Sequence, residues 1–138
     1  MGHDMKKRIV IIDDHPIVRQ GFAQLINRER DLETVGEAAD SSSAMQLIDE
    51  QEPDLALIDL SLKDSNGLEL IKNLAAGNEK LKMLVISLHD EKVYAERALR
   101  AGAKGYVMKS EATKNVMTAI RSVLRGEVYL SDTMRGRI

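Results

Sequence analysis

At 138 residues the chain has the length of one domain, and 43% hydrophobic with 30% charged residues is the composition of a globular fold with a single core. Twenty Lys and Arg against 22 Asp and Glu leave a net charge of −2, and only four aromatic residues are present, which excludes nucleic-acid binding through bulk charge or a base-stacking platform. The absence of cysteine excludes disulfides, thiol catalysis and thiolate metal sites, and the longest apolar run, Ile9–Ile12, is far below the roughly 20 residues of a membrane span.

Arg8–Asp13 (RIVIID) is a short β-branched apolar run of the kind a fully buried parallel strand requires. Pro16 suits the first turn of a helix, whose inward positions Val18, Phe22, Leu25 and Ile26 recur up to about Arg28. Leu32–Ala38 reads as a weaker second strand. Ser41–Ser43 offer N-caps for a helix with Met45, Leu47 and Ile48 inward, stopped at Glu52-Pro53. Asp54–Asp59 is a third strand, and Gly67–Ala76 a helix with Gly77 as its C′ residue. Lys82–Ser87 is the fourth strand, Glu91–Arg100 a helix and Gly105–Met108 the fifth strand. Thr113–Leu124 is a final helix with Val116, Ile120, Val123 and Leu124 inward, ending at Gly126. Five strands alternating with five helices predict an α/β fold with a doubly wound parallel sheet.

In such sheets the ligand site lies at the carboxyl ends of the strands. Those ends carry Asp13 and Asp14, Asp59, Ser87 and Lys109. Clustered carboxylates repel one another, and hard oxygen ligands without Cys or paired His select Mg²⁺ or Mn²⁺ over zinc. An Asp carboxylate is a competent phosphoryl acceptor, and a lysine and a hydroxyl supply donors for the transferred group. The set predicts a phosphoryl-transfer site.

These residues, with Gly67 eight positions after Asp59 and Tyr106 three before Lys109, resemble a response-regulator receiver domain over residues 7–126. The resemblance implies a flavodoxin-like sheet of order 2-1-3-4-5. It implies that Asp59 is the phosphoacceptor and that Asp13, Asp14, Asp59 and the Ser61 carbonyl hold the metal. Lys109 and Ser87 would bind the phosphoryl group, and Tyr106 would swing inward behind Ser87 as a switch. Ser61 and His89 would tune dephosphorylation. On this reading the chain is a signalling phosphoacceptor that promotes its own phosphorylation and dephosphorylation, not an enzyme.

The segments DDHPIVRQGF, ALIDLSLKDSNGLEL and GAKGYVMKSE resemble the NarL/LuxR-type receivers that precede a helix-turn-helix domain. The partners implied are a sensor histidine kinase, an output DNA-binding domain and a second copy on phosphorylation. Glu127–Ser131 is similar to the entry of their linker, so residues 127–138 are expected to be the start of a linker or a C-terminal tail, with the output domain outside this chain. Three positions depart from the family. Leu62-Lys63 stand where Met-Pro is frequent, and Leu88 is larger than the usual residue there, narrowing access to Asp59. Ser110 replaces a proline that commonly follows the lysine in a cis peptide; a cis bond without proline costs about 2.5–4 kcal/mol.

Other readings share parts of the pattern. A haloacid-dehalogenase-type phosphatase requires an Asp where Ser61 stands. A flavodoxin-type FMN protein requires a Gly- and hydroxyl-rich loop where Asp13-Asp14-His15-Pro16 would repel phosphate. The runner-up is a receiver that is never phosphorylated and acts as an interaction module. His15 and His89 lack a suitably spaced His partner, so zinc is not expected, and His89 reads as a loop residue beside the site. Tyr106 taken alone reads as a half-buried edge aromatic. Arg97, Arg100, Arg121 and Arg125 read as solvated helix residues. No DNA or membrane binding is expected of these residues. No apolar stretch follows Met1-Gly2-His3-Asp4 that would make a signal peptide, and a cytoplasmic location is expected.

Overall fold

The computed structural model describes residues 5–62 and 66–137; the segments 1–4 and 63–65, with Lys63 among them, and residue 138 lie outside the described residues. Five parallel strands form one sheet, β1 (Lys7–Ile12), β2 (Leu32–Ala38), β3 (Leu55–Asp59), β4 (Lys82–Ser87) and β5 (Gly105–Met108), in the order β2-β1-β3-β4-β5. Helices α1 (Pro16–Asn27), α2 (Ser41–Gln51), α3 (Gly67–Gly77), α4 (Glu91–Ala101) and α5 (Ala112–Leu124) cover its two faces. A 3₁₀ turn at Lys109–Glu111 leads into α5, and a further short helix, α6 (Asp132–Arg135), was not expected from the sequence.

The apolar runs of β1, β3 and β4 are continuous because those strands are covered on both faces. Alternate residues serve opposite layers. Val10, Ile12, Ala56, Ile58, Met83, Val85 and Tyr106 face α2, α3 and α4, whereas Ile9, Ile11, Leu55, Leu57, Leu84, Ile86 and Val107 face α1 and α5. The two sides are unequal. Helix α5 buries Val116, Ile120 and Val123, but α4 buries only Ala95 and Ala98.

Register decides where the polar strand ends meet. Ile12 pairs with Ile58, so Asp13 follows β1 beside Asp59. Asp59 pairs with Ile86, so Ser87 lies one residue beyond it. Ser87 pairs with Met108, which places Lys109 at the same rim. The order of strands reverses at β1 and β3, and the acids sit at that switch point.

Local details differ from the sequence reading. Asp40, not Ser41–Ser43, caps α2, its carboxylate accepting the Ser43 N–H at 2.8 Å. The inward face of α2 is Ala44 and Ile48 with Leu47 partly buried, and Met45 is turned outward. Gly77 is the last residue of α3; Asn78 caps it, with Nδ2 donating to the Leu74 carbonyl at 2.9 Å. The Lys109–Ser110 peptide is trans, as are all those described.

Gly67 has a steric role, because a Cβ there would meet the Leu60 carbonyl oxygen at 2.3 Å. It lets the start of α3 close against the loop that follows Asp59. Gly67→Ala is expected to destabilise the fold by about 1–3 kcal/mol through overpacking. Gly21→Ala, at an exposed position in α1 with nothing within 4 Å, is expected to stabilise by about 0.5–1 kcal/mol. Urea titrations of the two variants check the opposite signs.

Candidate functional site

Asp13 and Asp59 are buried at the carboxyl ends of β1 and β3. One carboxylate oxygen of each, together with one of Asp14 and a ring nitrogen of His15, forms a group within 4.8 Å of one another. The loop amides are spent on orienting these acids. The His15 N–H donates to Asp13 Oδ1 at 2.8 Å, and the Ser61 N–H donates to Asp59 Oδ1 at 3.0 Å. Lys109 enters from the β5 side, its Nζ 3.0 Å from Asp13 Oδ2 and 3.2 Å from Asp59 Oδ2. Burial pulls the Lys109 ammonium toward deprotonation, but the Asp13 and Asp59 carboxylates overcome that pull and raise its pKa.

Asp14 is the acid left over. Neither of its oxygens accepts a hydrogen bond, although both are buried, and the Ser61 Oγ is buried without a partner as well. His15 Nδ1 lies 2.9 Å from an oxygen of Asp13 and of Asp14, and its single N–H cannot satisfy both. Orphaned oxygens beside an excess of carboxylates fit a small divalent cation. The residues available to hold it are Asp13, Asp14 and Asp59.

The β4–α4 side carries the hydroxyls. Ser87 is buried, its Oγ accepts the His89 N–H at 2.9 Å, and its hydroxyl lies within hydrogen-bonding reach of the Tyr106 phenol oxygen. The Tyr106 phenol donates to the His89 carbonyl at 2.9 Å. Tyr106 is 1% exposed, so the ring is already inward, and no swing is required to bring it there. Its burial pushes the phenol pKa up to about 12, with the Ser87 hydroxyl opposing. The His89 ring stacks at 4.9 Å on Tyr94, and Arg97 lies 5.6 Å over the other ring. Leu88 is 71% exposed at the rim beside them.

Asp13, Asp14, Asp59, Ser61 and Lys109 therefore meet at one point, and Ser87, His89 and Tyr106 form a connected group at its flank. Two residues enter that the sequence reading assigned no site role. His15 joins the carboxylates, and Arg19 Nη1 donates to the Asp13 carbonyl at 2.6 Å while its Nε binds Glu37. The signal for Arg19 is its place four residues after His15, one helical turn into α1.

Residues 9–121 match the response regulator receiver domain family. The chain belongs to that family. This receiver is 39% identical over 124 residues to the oxygen regulatory protein NreC of Staphylococcus aureus strain JH9, an overlap covering 89% of the receiver and 57% of NreC. It thus spans little more than half the length of that relative. A LuxR-family two-component response regulator from Aurantimonas sp. SI85-9A1 matches with a TM-score of 0.89 at 34% identity, covering 95% of the receiver and 94% of that chain. The signal receiver domain of NarL from Mycobacterium tuberculosis matches at 0.83 and 30% identity, over 89% of the receiver and 99% of that chain. The receiver is of the NarL/LuxR type, and its 2-1-3-4-5 sheet is the flavodoxin-like order.

Two expectations follow from the electrostatics. Without divalent cations, Asp14→Asn should raise the thermal midpoint by relieving like-charge repulsion, whereas Lys109→Met should cost about 3–5 kcal/mol by leaving two buried carboxylates without their cation. Melting curves in EDTA check the opposed signs. Tyr106 keeps its proton to about 12 when folded, against 10.0 for an ordinary tyrosine. The stability this confers is complete below pH 10 and is lost as pH rises toward 12, because the unfolded chain then binds fewer protons. Tyr106→Phe should flatten that alkaline decline in pH-dependent urea unfolding.

Proposed function

We propose that this receiver accepts one phosphoryl group on Asp59, in a Mg²⁺- or Mn²⁺-dependent reaction, from a sensor histidine kinase or a small phosphodonor. The observation that carries the reading is the buried Asp59 carboxylate, held by the Ser61 N–H on one oxygen and facing Lys109 Nζ at 3.2 Å on the other, beside Asp13 and Asp14. A carboxylate oxygen of Asp59 attacks phosphorus and the donor's P–N or P–O bond breaks. The products are an aspartyl phosphate and free imidazole or carboxylate. A divalent cation held by Asp13, Asp14 and Asp59 would neutralise charge on the phosphoryl oxygens. Lys109 remains to bind a phosphoryl oxygen, and Ser87 donates to another once its hydroxyl turns from the Tyr106 phenol oxygen toward Asp59. Ser61, whose N–H binds Asp59, and His89, whose N–H binds Ser87, are assigned the tuning of dephosphorylation on this reading. The protein on this reading is a signalling phosphoacceptor and not an enzyme.

The kinase has a surface to use. An apolar groove between α1 and α5, lined by Val18, Phe22, Leu25 and Ala112, runs beside Lys109, and Ile17 stands exposed near it. The names of the relatives, a regulatory protein and a LuxR-family two-component response regulator, support control of an output. On this reading the output is a DNA-binding domain, the protein works in the cytoplasm, and two copies pair on phosphorylation. The phosphorylated state is the signal on this account.

Intact mass before and after acetyl phosphate with Mg²⁺ tests the chemistry. The expected result is a gain of one phosphoryl group that disappears in Asp59→Asn and in excess EDTA. Labelling that survives either change overturns the assignment, and no labelling of the parent protein favours the interaction-module alternative.

A further inference from the structure

We propose that residues 127–135 form an intramolecular strap that holds Tyr106 inward, and that strap docking and occupation of the Asp59 site reinforce each other. The proposal rests on the phosphoacceptor reading above. A polar run after the last long helix has no need to bury anything, yet this one folds back on the sheet edge. Its Tyr129 N–H donates to the Lys104 carbonyl at 2.9 Å, and its Tyr129 carbonyl accepts the Tyr106 N–H at 3.1 Å. The pair makes a parallel bridge opposite Gly105, which otherwise lies on the open edge of the sheet. A Cβ at Gly105 would meet Leu84 Cδ1 at 2.7 Å and would crowd the Tyr129 Cβ and carbonyl oxygen of the strap at 3.2 Å.

Side chains fasten the strap further along. Leu130 and Met134 are buried in the apolar cluster that contains Tyr106, Ala95 and Ala98. Ser131 Oγ donates to Glu91 Oε1 at 2.8 Å on the first turn of α4 and also caps the short helix α6. Strap and site then share one residue. The Tyr106 backbone binds the strap, its ring packs in the cluster with Leu130 and Met134, and its phenol binds the His89 carbonyl. The His89 N–H in turn holds Ser87 Oγ.

A lifted strap exposes the ring and removes what keeps it under the β4–α4 loop. The loop then ceases to present Ser87 in one position. A docked strap does the reverse and prepares Ser87 to meet a phosphoryl group. Such coupling is reciprocal by linkage, so an occupied site must tighten the strap by the same factor.

The test uses the 138-residue protein in Mg²⁺ with and without beryllofluoride, a phosphoryl mimic, with fluorine NMR reporting occupation of Asp59 independently. Occupation should slow amide hydrogen exchange at Tyr106 and Tyr129 at least threefold. Leu130→Ser with Met134→Ser should raise the Kd for beryllofluoride at least threefold. Ser131→Ala, which leaves the apolar contacts intact, should shift it in the same direction by less and decides the matter where the double variant does not fold. Bound fluoride with unchanged or faster exchange at Tyr129 overturns the coupling alone, as does an unchanged Kd in the folded variants. Absence of bound fluoride overturns the phosphoacceptor reading and the coupling with it.

Discussion

Lys109 stands between two carboxylates that water does not reach, and much of the receiver is arranged to make that contact possible. A buried acid is tolerated only when its charge is matched and its lone pairs are used. The register of three strand pairings delivers Asp13, Asp59 and Lys109 to one rim, and loop amides from His15 and Ser61 take up oxygens that the ammonium does not. The balance is deliberately incomplete in physical terms. Three carboxylates face one ammonium, and Asp14 has no hydrogen bond of its own. A site with unmatched negative charge is one whose stability a cation raises, so ligand affinity and fold stability draw on the same repulsion.

Much of this was legible in the chain. The β-branched runs at Ile9–Ile12 and Leu55–Ile58 mark strands buried on both faces, and a residue that ends such a run falls at the carboxyl rim. Asp13, Asp59, Ser87 and Lys109 were therefore placeable from pattern alone. The short-range choices were less legible. Asp40 and Ser41 are both competent caps, and one step of register decides between them; that step also turns Met45 outward and Ala44 inward. The participation of His15 depends on the direction of an exposed imidazole, which periodicity does not report. Tyr106 reads as half-buried because an edge strand leaves one side open, and what covers it lies more than twenty residues later in the chain.

That cover is also why the segment after Gly126 escaped a pattern-based reading. Among its described residues two apolar side chains are buried, Leu130 and Met134, one helical turn apart and too few to form a periodic signal. Its order comes from the sheet, which offers an unpaired edge and a glycine with room for a neighbouring backbone. Tertiary context supplies the structure that local propensity lacks.

The unequal helix faces bear on where thermal motion concentrates. The layer under α5 is filled by branched side chains, and Arg121 ties that helix by 2.6 and 2.8 Å contacts to Glu29 and Asp31 in the loop between α1 and β2. Under α4 the fully buried contacts are the methyl groups of Ala95 and Ala98, with Tyr94, Leu99 and Ala101 only partly buried beside them. Detaching α4 from the sheet therefore exposes less apolar surface than detaching α5, and its opening is expected to cost less free energy than global unfolding. The sheet has a stiff wall and a loose one, and the loose wall is where small energies suffice to make two populations.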